Sequence, residues 1–125
     1  MREIKFRGKC INGEWVAGLL SISQGTLTQP EKGYYISNSV GMPWAYQVRP
    51  ESVGQFTGKR DRNSHKEIYE GQKVRGFYDK TLVGENEFHE DGVVVWNNEL
   101  GSFSIDRGYI KPAFSCFDSF KILED

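Results

Sequence analysis

Apolar and polar residues alternate over short stretches of this chain, which is the pattern of half-buried strands. Ile4-Lys5-Phe6-Arg7 shows it first, and Asn12-Gly13 then offers a favoured two-residue hairpin turn before Trp15-Val16-Ala17. No window repeats apolar residues at helical spacing over three turns. The pattern therefore predicts an early hairpin and only a minor helical component.

Further short strands are predicted in the first half of the chain. Leu19–Ile22 and Tyr34–Ile36 are rich in apolar residues and are separated by a turn-rich stretch, residues 23–33. Pro50 is placed to open either a single helical turn or a tight corner.

The second half contains the clearest hairpin. Gly92–Trp96 is a nearly continuous apolar run, which predicts a strand buried on both faces, and Ser102–Ile105 is its alternating return strand. Asn97–Gly101 supplies the turn between them, and Lys73–Tyr78 is a further strand. Short strands with glycines at the corners predict a mainly β fold, a small barrel-like or SH3-like domain with short hairpins and little helix.

Length and composition fit one domain over residues 1–125, with possible sub-lobes 1–56 and 57–125, because 125 residues can bury one sizeable core. No apolar run approaches the ~18 residues of a membrane span, and the opening MREIKFRGKC lacks the apolar core of a signal peptide. The expected location is the cytoplasm, with no membrane partner. Cys10 and Cys116 have no paired-cysteine spacing, which favours reduced thiols over a metal site or a disulfide.

Charge is unevenly distributed along the sequence. Residues 1–75 contain 12 Lys or Arg and 7 Asp or Glu, whereas residues 76–125 contain 4 and 10. The two halves either neutralise each other within one fold or bring a basic face against the acidic face of a neighbouring copy. The second interpretation predicts a homo-oligomer, built as a ring or an open array.

Candidates for catalysis and metal binding are few. His65 lies in a charged turn, and His89 lies in the acidic cluster Glu85–Asp91, whose spacing matches no known metal loop. Phosphate-loop, nucleophile-elbow and dinucleotide motifs are all missing from the sequence. The prediction is a protein that is not an enzyme and uses no metal or cofactor. A small metal-dependent enzyme using the Glu85–Asp91 cluster remains an open alternative.

A nucleic-acid role has fragmentary support. Lys5-Phe6-Arg7, and Lys59-Arg60 with nearby Phe56 and Tyr69, interleave cations and aromatic rings. The acidic second half and a pI near 6.1 argue against it. A nucleic-acid-binding β-barrel is therefore a second open alternative.

The segment Gln55–Val74, QFTGKRDRNSHKEIYEGQKV, poses the main question of the sequence. Asp61–Ser64 contains residues that tolerate tight turns, Ile68 and Tyr69 offer side chains to opposite faces of a strand, and Gly71 permits a corner. The segment is interpreted as a hairpin with a solvated charged rim. A possible recognition surface consists of Lys59, Arg60 and Arg62, together with Trp44 from the loop-like stretch 41–44.

Three parts of the chain resemble the YopX-like family of bacteriophage and prophage proteins. Met1–Arg7 is similar to the family's start, and Val53–Gly58 to the approach to its central block. Thr57–Asn63 followed by Lys66–Gly71 is similar to the block Thr-Gly-Leu-x-Asp-x-Asn-Gly-x-x-Ile-Tyr-Glu-Gly-Asp. Lys59, Ser64, His65 and Gln72 depart from that block, the family's usual ending is missing, and the resemblance is faint from Lys80 onward.

The resemblance implies a mostly β, barrel-like fold and a phage or prophage origin, but no established activity and no catalytic residues. We therefore expect one YopX-like domain in the bacterial host cytoplasm, acting as a non-enzymatic binding or self-assembling accessory protein. Its partner is either a second copy or an unknown protein.

Overall fold

The computed structural model describes residues 3–78, 88–108 and 111–124. The protein is mainly β, its registered strand pairs are antiparallel, and one sheet curls into a half-barrel. The prediction of a mainly β fold with short hairpins and little helix is confirmed, since the helices found in the described residues are two 3-10 turns. No helix in this part of the chain is long and apolar enough to span a membrane.

The chain divides into two compact units, Met1–Phe56 (unit 1) and Thr57–Asp125 (unit 2). Unit 1 contains two sets of paired strands, in which β1 pairs with β2 and with the start of β6, and β4 lies between β3 and β5. The predicted helical turn at Pro50 is confirmed. The elements are β1 Phe6–Lys9, β2 Trp15–Gly18, β3 Leu20–Ser23, β4 Gly33–Ile36, β5 Tyr46–Val48, a 3-10 helix Pro50–Ser52, and β6 Gly54–Arg60, which ends in unit 2.

The first predicted hairpin is present, but the prediction of a two-residue turn at Asn12-Gly13 is wrong. The Gly13 amide donates to the Cys10 carbonyl oxygen at 2.9 Å, and the Cys10 amide donates to the Glu14 carbonyl oxygen at 2.9 Å. Gly13 has φ +91. Residues 11–13 therefore form a three-residue hairpin loop between Cys10 and Glu14. The third residue of such a loop is usually left-handed and forms a bulge, and Gly13 takes this role.

The core of unit 1 requires a bare backbone at Gly8. A Cβ atom built there would lie 2.8 Å from the Val48 Cβ. Val48, Tyr35 and Ile36 are buried, and Ile36 lies opposite Leu20 and Tyr46 in the sheet. The glycine of β1 therefore lets β5 pack directly onto its backbone.

Unit 2 is built around a single aromatic-rich core. Phe120 lies at its centre, with ring centroids 4.4 Å from Phe114 and 5.7 Å from Phe117. Four strands form one sheet in the order β10-β9-β8-β11, while β7 lies beside β6. The elements are β7 Glu67–Tyr69, β8 Lys73–Tyr78, β9 His89–Asn97, β10 Ser102–Asp106, a 3-10 helix Phe114–Cys116 and β11 Phe117–Glu124.

The predicted hairpin between β9 and β10 is confirmed, with Val94 opposite Ile105. The prediction that this strand is buried on both faces is wrong, since Val94 is 0% exposed but Val93 is 41% exposed. Side chains of adjacent strand residues point to opposite faces, and only the Val94 face packs on the core. Apolar content alone did not reveal that the sheet has a solvent face.

Both cysteines, Cys10 and Cys116, are free thiols, as the sequence predicts.

Candidate functional site

The charged segment after β6 is the loop of a hairpin. β6 and β7 are neighbours in the sheet, and the Asp61 amide donates to the Lys66 carbonyl oxygen at 2.8 Å to close residues 61–66. The Thr57 hydroxyl donates to the Ile68 carbonyl oxygen at 2.8 Å. The hairpin interpretation of Gln55–Val74 is therefore confirmed. We call residues 59–66 the basic loop.

A single buried carboxylate organises the basic loop. Asp61 Oδ1 accepts hydrogen bonds from the Asn63 and Ser64 amides, each at 2.8 Å. Its Oδ2 accepts from the Ile122 amide of β11 at 2.7 Å. The Arg62 amide also donates to the Phe120 carbonyl oxygen at 2.7 Å. The loop is thus fixed along the edge of β11, which it covers.

These bonds determine the ionisation of Asp61. Burial alone would raise the pKa of its carboxyl group, but hydrogen bonds from the Ser64, Ile122 and Asn63 amides hold the pKa below its usual value. Amide donors stabilise the charged carboxylate, which accepts more bonds than the neutral acid. Asp61 is therefore a structural anion of the loop.

The turn of the loop spans Arg62–Ser64, as the sequence predicts, but its left-handed residue is His65 and not one of the tolerant residues Asp61–Ser64. His65 has φ +62, and it is the one non-glycine residue with a positive φ in the described part of the chain. The Asp61 carboxylate already fixes Asn63 and Ser64, so the left-handed residue falls one position after them. The sequence placed the turn correctly but not its strained residue.

We expect His65→Gly to stabilise the protein by about 1 kcal/mol, because glycine adopts a positive φ without steric strain. His65 is exposed, so the imidazole contributes little packing. Ser64→Gly is the matched control and should destabilise slightly, since Ser64 lacks a positive φ and glycine adds entropy to the unfolded chain. Urea denaturation of both variants measures the difference. Equal shifts for the two would contradict this account.

The three predicted recognition cations are all exposed on the basic loop. Lys59 and Arg60 end β6, and Arg60 Nη2 lies 3.4 Å from the Glu67 carboxylate. Arg62 extends the other way, with its Cζ 4.1 Å from the Phe77 ring centroid. Lys59, Arg60 and Arg62 therefore lie on one short loop, but Arg60 and Arg62 contact different neighbours.

Arg62 connects the basic loop to the outer face of the β8–β11 sheet. The strand registers place Ser119, Phe77 and His89 in one row across this face, and Lys121, Arg75 and Asp91 in the next. Arg75 donates two hydrogen bonds to Asp91, at 2.8 and 3.0 Å. The hydrogen bond from Arg75 lowers the pKa of Asp91. The outer face thus carries the Arg75–Asp91 pair next to the Phe77 ring, over which the Arg62 guanidinium lies.

Trp44 belongs to unit 1, whereas the basic loop belongs to unit 2. It is half-buried, and its ring packs edge-on against Tyr35 with centroids 5.4 Å apart. Tyr35 is itself buried and donates its hydroxyl hydrogen to the Glu31 carbonyl oxygen at 2.7 Å. Trp44 therefore has a packing role in addition to its exposed surface.

The described part of the acidic cluster Glu85–Asp91 is engaged in ion pairs. Glu90 contacts Arg107 and also accepts a hydrogen bond from the Tyr78 hydroxyl at 3.2 Å, while Asp91 binds Arg75. Residues 85–87 lie outside the described residues. Among those that are described, no group of three His, Cys, Asp or Glu side chains is placed to hold a metal ion.

The prediction that aromatic rings near Lys59-Arg60 contribute to a nucleic-acid surface is wrong. Phe56 and Tyr69 are each 4% exposed, so neither ring next to Lys59-Arg60 can stack on a base. Both side chains are buried instead.

Two features of the candidate site are not among the predictions from the sequence. The sequence analysis predicts Asp61 only as a turn residue, although an Asp at the start of a charged turn is a common acceptor for amides two and three residues on. The partnership of Arg62 with Phe77 had no sequence signal, because it depends on a pairing between distant segments.

No protein-family model, curated protein or solved structure matches this chain.

Proposed function

We propose that this chain is a non-enzymatic accessory protein of phage or prophage origin, acting in the bacterial cytoplasm by binding an acidic protein surface through its basic loop. The observation that carries the proposal is that Asp61 anchors the loop to β11 while Lys59, Arg60 and Arg62 remain exposed. The first candidate partner is a second copy of the chain. The phage origin and the family rest on the YopX-like segments of the sequence.

A loop held in one conformation is well suited to recognition. Association costs the entropy of ordering flexible segments, and a loop that is ordered before binding avoids most of that cost. Arg60 is exposed in its 3.4 Å pair with Glu67, so the pair contributes little to stability and the guanidinium stays accessible to a partner. Rim charges of this kind mainly increase association rate and specificity.

The charge distribution supports a copy of the chain as partner, though less strongly than the sequence suggested. Unit 1 contains six Lys or Arg and four Asp or Glu, and unit 2 contains ten and thirteen. The Arg75–Asp91 pair joins the basic and acidic halves of the sequence inside unit 2. Part of the imbalance is therefore neutralised within the fold, and the basic loop is a segment of the described chain in which exposed cations are concentrated.

Light scattering of the wild-type protein at micromolar concentration tests this proposal. We expect a species larger than a monomer at low salt that becomes smaller at high salt, because exposed charge pairs are screened over a Debye length of about 3 Å at 1 M salt. A monomer at every salt concentration would rule out self-association through charge.

Nucleic-acid binding is a second candidate, favoured by a different observation. Arg62 covers Phe77 on the same outer face as Lys121, and a guanidinium over a ring is a surface on which a base can stack. Gel shifts with single-stranded DNA and RNA at several salt concentrations separate the candidates. Binding that weakens steeply with salt would favour nucleic acid, and no shift at low salt would exclude it.

A further inference from the structure

A depression of about 300 Å³ lies at the tip of the β9–β10 hairpin. It is lined by Trp96, Asn97, Asn98, Glu99 and Lys111. This volume is at the lower end of the ~300–1,000 Å³ typical of small-molecule sites. The depression is separate from the basic loop in sequence, and no residue of the proposed recognition surface lines it.

The two asparagines are oriented by hydrogen bonds whose chemistry is unambiguous. Asn98 Oδ1 accepts from the Trp96 indole nitrogen at 2.9 Å, and Asn97 Oδ1 accepts from the Glu99 and Leu100 amides at 3.0 and 3.3 Å. Indole and backbone N–H groups can only donate, so the atom facing them must be the carboxamide oxygen. Both side-chain NH₂ groups therefore point away from these bonds as available donors.

Trp96 contributes an apolar surface whose polar edge is already used. Trp96 is 40% exposed, and its ring packs nearly perpendicular to the Phe103 ring, with the two centroids 5.0 Å apart. Because the indole N–H is bound to Asn98, what remains for a ligand is carbon surface. Phe103 is buried and fixes the indole in place.

The charged residues of the depression have opposite signs. Glu99 offers a carboxylate acceptor, and Lys111 offers an ammonium donor whose nitrogen also lies 4.0 Å from the Asp106 carboxylate. The lining thus has no excess charge to select an anion or a cation. Amide donors, a carboxylate acceptor and exposed aromatic carbon are together suited to a neutral ligand with many hydroxyl groups and an apolar C–H face.

We propose that the Trp96 depression binds a carbohydrate, with a pyranose ring lying against the indole and its hydroxyl groups bonded to Asn97, Asn98 and Glu99. The site is independent of the proposed function, since none of its residues belongs to the basic loop. A shallow site of this size implies weak binding, with a Kd on the order of a millimolar.

Two-dimensional ¹H–¹⁵N NMR titration tests the site directly, because the Trp96 indole and the Asn97 and Asn98 side-chain amides all give separate signals. The probes are glucose, galactose, N-acetylglucosamine and their β-linked disaccharides, with inorganic phosphate as an anionic control. We expect at least one sugar to shift these signals saturably, and phosphate to leave them unchanged. The proposal is overturned if no sugar shifts these signals saturably at a concentration roughly 50-fold above a millimolar. It is also overturned if phosphate alone shifts them.

Shape-preserving variants complete the test. Asn97→Asp and Asn98→Asp retain the oxygens that accept from the Glu99 and Leu100 amides and from the Trp96 indole, but they remove the NH₂ donors. The double variant should keep the wild-type backbone spectrum and bind the sugar at least tenfold more weakly. Unchanged sugar affinity in the folded double variant would overturn the assignment.

Discussion

Asp61→Ala should lower the free energy of unfolding by about 3–5 kcal/mol, one of the largest effects expected of any single change in this protein. The carboxylate is the acceptor for the Asn63, Ser64 and Ile122 amides, and its removal leaves all three without that partner. The Ile122 amide is the costly one, since it lies in β11 beside the core. Urea denaturation followed by circular dichroism measures the loss.

Asp61→Asn is the matched variant for the role of charge. The carboxamide keeps one oxygen, so it can serve either the loop amides or Ile122, and we expect about half of the alanine loss. Full wild-type stability in Asp61→Asn would show that ionisation of Asp61 is unimportant.

The same carboxylate makes stability depend on pH in a defined direction. The folded pKa of Asp61 is held below the unfolded value, so its contribution is complete above about pH 4 and is lost as pH falls through the folded pKa. The pKa of Asp91 is also lowered, by the hydrogen bond from Arg75, and its contribution is lost in the same direction. The difference between wild type and Asp61→Asn should therefore shrink as the solution is acidified.

Ile68→Ala should cost about 2–5 kcal/mol, as a large-to-small change at a fully buried site. Ile68 is 0% exposed and belongs to the unit 2 core with Val74 and Phe120. Its loss leaves a cavity that the surrounding aromatic rings cannot readily fill. Leu100→Ala is the control, because Leu100 is exposed at a hairpin tip and should change stability by about 0.5 kcal/mol or less. Similar costs for the two variants would contradict the assignment of the core.

Elements whose signal is local could be predicted from the sequence. The β9–β10 hairpin, strand β8 and the helical turn at Pro50 depend on short-range alternation, turn residues and proline, and all three are present. Strand β3 begins at Leu20 and not at Leu19, because both backbone groups of Leu19 bind Ser37 instead. The shift comes from a residue that is distant in sequence.

Features that depend on long-range contacts could not be predicted. Exposure of Val93 depends on which face of the β8–β11 sheet meets the core, and apolar content does not specify this. The candidate site shows the same division. Lys59, Arg60 and Arg62 were identified from their charge, whereas the Asp61 bond to Ile122 joins residues 61 positions apart in sequence and left no local pattern.

We propose that the basic loop serves recognition and that Asp61, not the loop's cations, provides its stability. The triple variant Lys59→Ala, Arg60→Ala and Arg62→Ala should stay folded, since exposed charges and an exposed cation–π contact each contribute only about 0.5–1 kcal/mol or less. The control removes three exposed lysines elsewhere, Lys32, Lys73 and Lys111.

The deciding measurement is the molar mass of these two variants and the wild type by light scattering at low salt, beside their melting temperatures. We expect the loop variant to be a folded monomer and the control variant to associate like the wild type. A folded loop variant that associates as the wild type does would show that the loop is not the recognition surface, and a loop variant that fails to fold would show that its cations are needed for stability.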